Sequence, residues 1–382
     1  MVIKNSIIII PNIMNSDEVC DFLFQTASIL SKKNYVYVIH NKSFSIKEII
    51  QNLLFNKKQE IVSKKNKITY LTPVEILPFQ RLKVIKRINK SIYFKGLQIY
   101  LSLKHITAQR KIFWMFFPHL NSLTKKVFSS WKIIYDCVDY FQHLSTTMRQ
   151  QEINLIQAAD LVFVNSKTLL KFHSKYKGGE IFLVPQGFRL QSFRKKVTKV
   201  KKWGVNKPVL GFIGGIRNRL DFKLIYNLAQ NNPHWTIILW GPILSFSGEN
   251  KPKKEIQKLK KMKSIIWGKS KQKDIPSIID SFDIGIIPYD TNIDFNKYCY
   301  PMKTFEYFYL GKPIVSTPIK ELERFPLFIK TGQSVQTWEE NIQNILAKPW
   351  PKKHQRQQRQ LAIDNSWSNK IEAMSQIIDD TI

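Results

Sequence analysis

The chain has 382 residues, too many for one ordinary core and enough for two domains of ~150–200 residues. Hydrophobic residues make up 43% and aromatics 13%, which excludes a disordered chain. A formal net charge of +32 points to a polyanionic partner such as nucleic acid, anionic lipid or a phosphorylated substrate, although a lysine-rich composition throughout accounts for part of it.

Taken in chain order, short β-branched runs predict strands at 6–10, 35–39, 68–71, 112–116, 132–136, 161–165 and 181–184. Helices are expected between them, notably at 17–31 and 148–159. In the first, Ser16 or Asp17 supplies a cap, and Val19, Phe22, Leu23, Ala27 and Leu30 follow a 3.6-residue period. The run at 7–11 is far shorter than the ~20 apolar residues of a membrane span, and no other run approaches that length. It reads as a buried first strand with no signal peptide. Cys20, Cys137 and Cys299 lack metal spacing and fit packing roles in a reducing compartment, so a cytoplasmic location is expected.

The basic bias concentrates in 51–132, where 17 Lys and Arg face only Glu60 and Glu75. Within it, Arg81, Lys83, Lys86, Arg87, Lys90 and Lys95 alternate with Leu82, Val84, Ile85, Ile88, Ile92, Tyr93 and Phe94. Segment 81–95, from Arg81 to Lys95, therefore predicts an amphipathic helix whose cationic face would lie on an anionic membrane surface. The plainer alternative is a surface helix whose apolar stripe belongs to the core.

Segment 194–207 is basic and poor in branched apolar residues, as expected of a linker. A second series follows, with strands at 209–213, 236–239, 265–267, 284–288 and 314–316. Its helices are expected at 221–231, 275–281, 302–310 and 338–346. A last helix at 366–379 follows the polar run 352–360 and is expected to pack back on the first domain. The alternation predicts an α/β protein with two Rossmann-like, doubly wound domains facing a central cleft. The boundaries are 1–193, a linker at 194–207, 208–365, and the returning helix at 366–382.

Two strand ends carry chemistry. After 209–213 comes Gly211-Phe-Ile-Gly214-Gly215-Ile-Arg217-Asn-Arg219. Glycines there let the backbone approach a phosphate, and Arg217 and Arg219 add planar cationic forks. The second is Tyr300-Pro-Met-Lys303-Thr-Phe-Glu306-Tyr-Phe-Tyr-Leu-Gly311-Lys-Pro. Pro301 suits a helix start and Gly311 a C-terminal cap. Glu306 is a charge among apolar neighbours and needs a hydrogen-bonding partner, for which the vicinal hydroxyls of a ribose are suited. Lys303 and the helix start would face an anion. Tight turns with solvent-facing arginines, and a surface Glu–Lys pair, are the plainer alternatives.

These motifs, with IILWGP, WGKSKQKDIPSIIDSFDIGIIPYD, KIIYDCVDYF and AADLVFVNSKTLL, resemble glycosyltransferases of the GT-B fold. The likeness is to family-4-type enzymes and their relatives in bacterial surface-polysaccharide and teichuronic-acid synthesis, and it spans about 132–317. The resemblance implies an acceptor-side domain at 1–193 and a nucleotide-sugar-binding domain at 208–365. It implies a donor linked to UDP or GDP, held by Gly214, Gly215, Arg217, Arg219, Lys303 and Glu306. Glu306 matches the second glutamate of the family's paired-glutamate motif, the ribose ligand. The first, a sugar contact, falls at Tyr298, so sugar recognition departs from the pattern. No Asp-x-Asp motif occurs, so neither metal nor cofactor is expected.

Asp136 and Asp139, at a strand end, are the candidate catalytic carboxylates, for activating or positioning an acceptor hydroxyl; capping the next helix or pairing with basic neighbours is the alternative. His119 and His143 are lesser acceptor-side candidates. The expected function is hexosyl transfer to a lipid-linked or oligosaccharide acceptor in cell-envelope polysaccharide synthesis, at the inner face of the membrane. Alternatives are a catalytically inactive GT-B partner subunit and, more remotely, a nucleic-acid-binding protein. The second lacks any recognition motif, so no nucleic acid is expected as a partner.

Overall fold

A computed structural model describes residues 2–12, 21–54, 61–79, 81–105, 107–118, 129–141, 145–176, 181–194, 203, 207–244 and 253–382. His119, His143, Cys20, Ser16, Asp17 and most of the expected linker lie outside the described residues. Two compact units emerge, one of Met1–Pro185 with Ser368–Ile382 and one of Gln186–Trp367.

In unit 1, β1 (Ser6–Pro11), β2 (Tyr35–Ile39), β4 (Val62–Lys65), β5 (Ile68–Leu71), β7 (Arg110–Met115), β8 (Lys132–Cys137), β9 (Leu161–Val164) and β10 (Ile181–Leu183) form one sheet. Its order is β10-β9-β8-β7-β1-β2-β5-β4, and β3 (Phe44–Ser45) and β6 (Val74–Glu75) pair separately. Every pairing in the large sheet is parallel except β4 with β5. Strands covered on both faces need apolar side chains throughout, and Ile7–Ile10 and Leu161–Val164 are fully buried. β4 reads Val-Ser-Lys-Lys, a charged edge that blunts further pairing.

In unit 2, β11 (Val209–Ile213), β12 (Thr236–Trp240), β13 (Ile265–Gly268), β14 (Ile284–Ile287), β15 (Ile314–Ser316) and β16 (Ile329–Thr331) form a parallel sheet in the order β13-β12-β11-β14-β15-β16. Strand order reverses between β11 and β14, the place where open α/β sheets bind ligands at their carboxyl ends. The boundary of unit 2 falls at Gln186 because Phe188 bridges to Ser366, and Gly187 lies directly under the Trp367 ring. Those contacts tie the start of the unit to its end.

The terminal helix Trp367–Thr381 delivers residues 368–382 to unit 1. Ile371, Met374 and Ile378 enter that core, while Arg110 meets Asp379 at 2.9 Å and the Ile382 carbonyl at 2.9 Å. The polar run after Pro351 is itself a helix, Lys352–Asp364, with Gln358 and Ala362 buried.

Candidate functional site

The carboxyl end of β11 is shaped by two glycines that the fold requires. Gly214 has φ +133° and Gly241, after β12, has φ +156°. A Cβ on Gly241 would meet the Gly214 carbonyl oxygen at 2.0 Å, so only glycine lets the two loops close on each other. Gly214 N–H donates to the Trp240 carbonyl and Gly241 N–H to the Gly268 carbonyl, extending the ladder one step beyond the strands. Gly215 N–H makes no hydrogen bond among the described residues. Beside it, a Cβ on Gly215 would lie 3.3 Å from an Arg217 guanidinium nitrogen. Arg217 is exposed, and partial desolvation and then the charge of Arg219 lower its pKa.

The helix Lys303–Tyr309 brings the second motif to the same place. Lys303 Nζ donates to the Tyr289 hydroxyl beyond β14 and lies over the Phe212 and Tyr289 rings at 4.8 and 4.7 Å. A Cβ on Gly214 would stand 3.6 Å from that ammonium. Gly214, Gly215, Arg217 and Lys303 therefore converge on one spot at the switch point of the sheet. Glu306 is half-buried one turn further along the helix, whose Phe305, Tyr307 and Phe308 are fully buried.

Tyr307 fixes this helix to β11. Ile213 N–H donates to its hydroxyl at 3.0 Å, and the hydroxyl donates to the Gly211 carbonyl at 3.1 Å. Tyr307→Phe should strip a buried donor of its partner and cost ~1–3 kcal/mol. The expected readout is a lowered denaturation midpoint for unit 2; an unchanged midpoint would show that the clamp carries nothing.

Arg219 packs over the same Tyr289 ring as Lys303. Its guanidinium stacks over Tyr289 and Phe295 at 4.6 and 4.3 Å and donates to the Asn296 side chain at 2.8 Å. Buried Asn296 donates back to the Arg219 and Asp290 carbonyls. Arg219 thus braces the Arg217 loop as well as adding charge near it. Tyr298, half-buried on the helix Asp294–Tyr298, carries the Lys320 ammonium 5.4 Å from its ring centre.

In unit 1 the two candidate carboxylates separate. Asp136 is fully buried and meets Lys370 of the terminal helix at 3.6 Å, with Lys370 itself buried. Burial raises its pKa and the Lys370 charge opposes the rise. A group so enclosed ties the returning helix to the sheet. Asp139 lies beyond the strand and is half-buried; its carbonyl accepts from the Cys137 thiol at 3.3 Å.

Behind them, Cys137, Glu152 and His173 form a buried cluster with ligand atoms within 4.8 Å of one another. Hydrogen bonds link its members: Tyr135 donates to Glu152 at 2.7 Å, and Cys137 Sγ lies 3.4 Å from His173 Nε2. Burial, helped by Lys175, lowers the His173 pKa from 6.5 to about 4. The folded state therefore keeps this imidazole neutral while the unfolded chain takes up a proton. Stability of unit 1 from this residue is complete above pH 6.5 and is lost as pH falls towards 4, on the order of 3 kcal/mol. Urea midpoints at pH 7 and 4.5 should show that slope, flattened in His173→Gln.

The helix Lys83–Lys104 is apolar on two faces. Phe94, Leu97 and Leu101 are buried in the unit 1 core. At about 100° per residue, Val84, Ile88, Ile92, Ile99 and Leu103 share an arc on the other side, and all five are exposed, Val84 at 69% and Leu103 at 68%. The exposed side of the helix is thus an apolar stripe, with Lys95 on its arc and Arg87 towards one edge.

Comparison with known proteins follows this geometry. No family model matches the chain. It is 31% identical over 229 residues to TuaH of Bacillus subtilis (strain 168), a protein provisionally named a teichuronic acid biosynthesis glycosyltransferase. The match covers 55% of this chain and 56% of TuaH, so the chain spans about half the length of that curated relative. Among solved structures it is similar to sucrose-phosphate synthase from Thermosynechococcus elongatus, with TM-score 0.70, 12% identity and 98% of each chain covered. Anabaena HepE in complex with UDP-glucose matches with TM-score 0.68 and 14% identity, over 98% of this chain and 99% of that one. A UDP-forming α,α-trehalose-phosphate synthase from Burkholderia xenovorans matches with TM-score 0.66 and 10% identity, over 99% of each. The chain has the fold of these GT-B proteins, and the resemblance carried by its motifs is borne out.

Proposed function

We propose that this chain is a glycosyltransferase that moves a sugar from a UDP- or GDP-linked donor to a lipid-linked or oligosaccharide acceptor in cell-surface polysaccharide synthesis. The observation that carries the reading is the convergence of Gly214, Gly215, Arg217 and Lys303 at the switch point of unit 2, with Glu306 on the same short helix. As the glycosidic bond breaks, the departing diphosphate gains negative charge. Fixed cations and backbone N–H groups stabilise that charge without reorganising. Glu306 accepts from the ribose hydroxyls. Asp139 is the carboxylate retained for positioning or deprotonating the acceptor hydroxyl. UDP-glucose in HepE supports the donor class, and the name of TuaH supports the acceptor class.

Thermal-shift measurements with UDP, GDP, CMP and their sugars test the donor reading. Stabilisation by a nucleoside diphosphate is expected, and none with any nucleotide would sink it. A second reading, a GT-B subunit that binds nucleotide without transfer, rests on Tyr298 beneath Lys320 in place of a carboxylate. Release of nucleoside diphosphate on adding membranes separates the two.

The stripe on Lys83–Lys104 supports peripheral attachment to an anionic membrane, since apolar insertion and the charges of Lys95 and Arg87 reinforce each other. Co-sedimentation with anionic liposomes should fade at high salt and fall at least tenfold in Ile88→Asp/Ile99→Asp. Equal sedimentation of that variant would remove the helix from the account.

A further inference from the structure

The buried cluster behind β8 joins three elements of unit 1. Cys137 ends β8, Glu152 sits in the helix Thr146–Ala158, and His173 closes the helix Lys167–His173. All three side chains are fully buried. The glutamate and the histidine stand 15 and 36 residues from the cysteine, in separate elements that only the fold brings together.

Their facing atoms form a triangle. Cys137 Sγ lies 3.6 Å from Glu152 Oε1 and 3.4 Å from His173 Nε2, and Nε2 lies 3.5 Å from the same Oε1. Zinc held tetrahedrally by sulfur at about 2.3 Å and by nitrogen and oxygen at about 2.0–2.2 Å sets its ligand atoms about 3.4–3.6 Å apart. The triangle already has those edges. The Asp139 carbonyl oxygen adds a further lone pair 3.3 Å from Sγ. Tyr135 donates to Oε1 at 2.7 Å, the support that a ligating carboxylate takes from its surroundings.

Hydrogen bonds alone do not explain this crowding. A thiol has one proton to give, yet acceptors on Asp139, Glu152 and His173 all surround Sγ. A Cys–His–Glu relay does not fit either. Such a relay puts the thiol on one ring nitrogen and the carboxylate on the other. Here both approach Nε2, and Nδ1 has no hydrogen-bond partner among the described residues. Full burial also keeps substrate from the sulfur. Lone pairs of a thiolate, a carboxylate and an imidazole converging on one point suit a divalent cation, whose charge the two anions cancel.

We propose that Cys137, Glu152 and His173 bind one zinc ion, with the Asp139 carbonyl oxygen offering a fourth ligand. The ion enters as unit 1 folds, because the folded unit encloses all three side chains. It fastens the end of β8, and the loop that carries Asp139, to two helices. The site is structural and independent of the donor and acceptor readings above, whose chemistry calls for no metal.

Metal analysis of the untagged full chain, purified from zinc-supplemented cells, tests this. One zinc per chain should survive gel filtration, and a folded chain without zinc overturns the proposal. Cys137→Ser and His173→Gln should each weaken zinc retention against a competing chelator at least tenfold; full retention in either overturns the ligand assignment. Cobalt-loaded chain gives a second reading that stands even where those variants fail to fold. It should show a thiolate-to-cobalt charge-transfer band and the intense visible bands of a tetrahedral site. Cys20→Ser/Cys299→Ser, which leaves Cys137 as the only cysteine of the sequence, should keep that band. Cobalt bound without it in the unaltered chain, or its loss in the folded double variant, takes Cys137 out of the site and overturns the proposal.

Discussion

Glu306→Ala is expected to weaken binding of the nucleoside diphosphate by about a hundredfold or more. A carboxylate accepting from two ribose hydroxyls makes two charge-assisted hydrogen bonds, each worth ~1.5–3 kcal/mol. Losing both removes ~3 kcal/mol at least, and every ~1.4 kcal/mol is a factor of ten. The fold of unit 2 should hold, because Phe305, Tyr307 and Phe308 carry the packing of this helix and Glu306 is only half-buried. Glu306→Gln, which keeps one acceptor oxygen, should fall between the two. Isothermal titration checks the ranking, and unchanged affinity in the alanine variant would mean that the helix reads something other than the ribose.

Lys370→Met should destabilise unit 1 by ~3–5 kcal/mol, the usual cost of leaving one half of a buried ion pair alone. Both Lys370 and Asp136 are almost wholly enclosed, 4% and 0% exposed, so water cannot take the partner's place. Adding Asp136→Asn to Lys370→Met should recover part of the loss, since a neutral amide is easier to bury than a carboxylate. Chemical denaturation reads this directly. A tethering role predicts that Asp136→Asn alone costs stability; a variant of full stability that loses transfer would return Asp136 to the catalytic group.

Most of the sheet strands were legible because parallel strands covered on both faces must be almost purely apolar, as in Ile7–Ile10 and Val209–Ile213. β4 escaped for the opposite reason: an exposed edge of Val-Ser-Lys-Lys has no period to read. The helix Lys352–Asp364 also escaped, since only Gln358 and Ala362 of its residues are buried. Gly214, Gly215, Arg217 and Lys303 were legible as charge and flexibility at strand ends. Their supports were not. Gly241 matters because its backbone meets Gly214, and Asn296 because it links Arg219 to Asp290, pairings between segments far apart in sequence. The pairing of Asp136 with Lys370 spans more than half the chain and was equally invisible. The lysines of the basic segment read as one surface, whereas helix geometry puts exposed Lys86 and Lys90 along a cavity and Val84 and Ile88 on another side of the helix.

Hydrogen-exchange mass spectrometry of the full chain with saturating UDP or GDP tests the central claim most directly. Protection is predicted at 213–219 and 303–309, the two segments that bring Arg217, Lys303 and Glu306 together. Protection absent from both segments, with nucleotide demonstrably bound, would contradict the account.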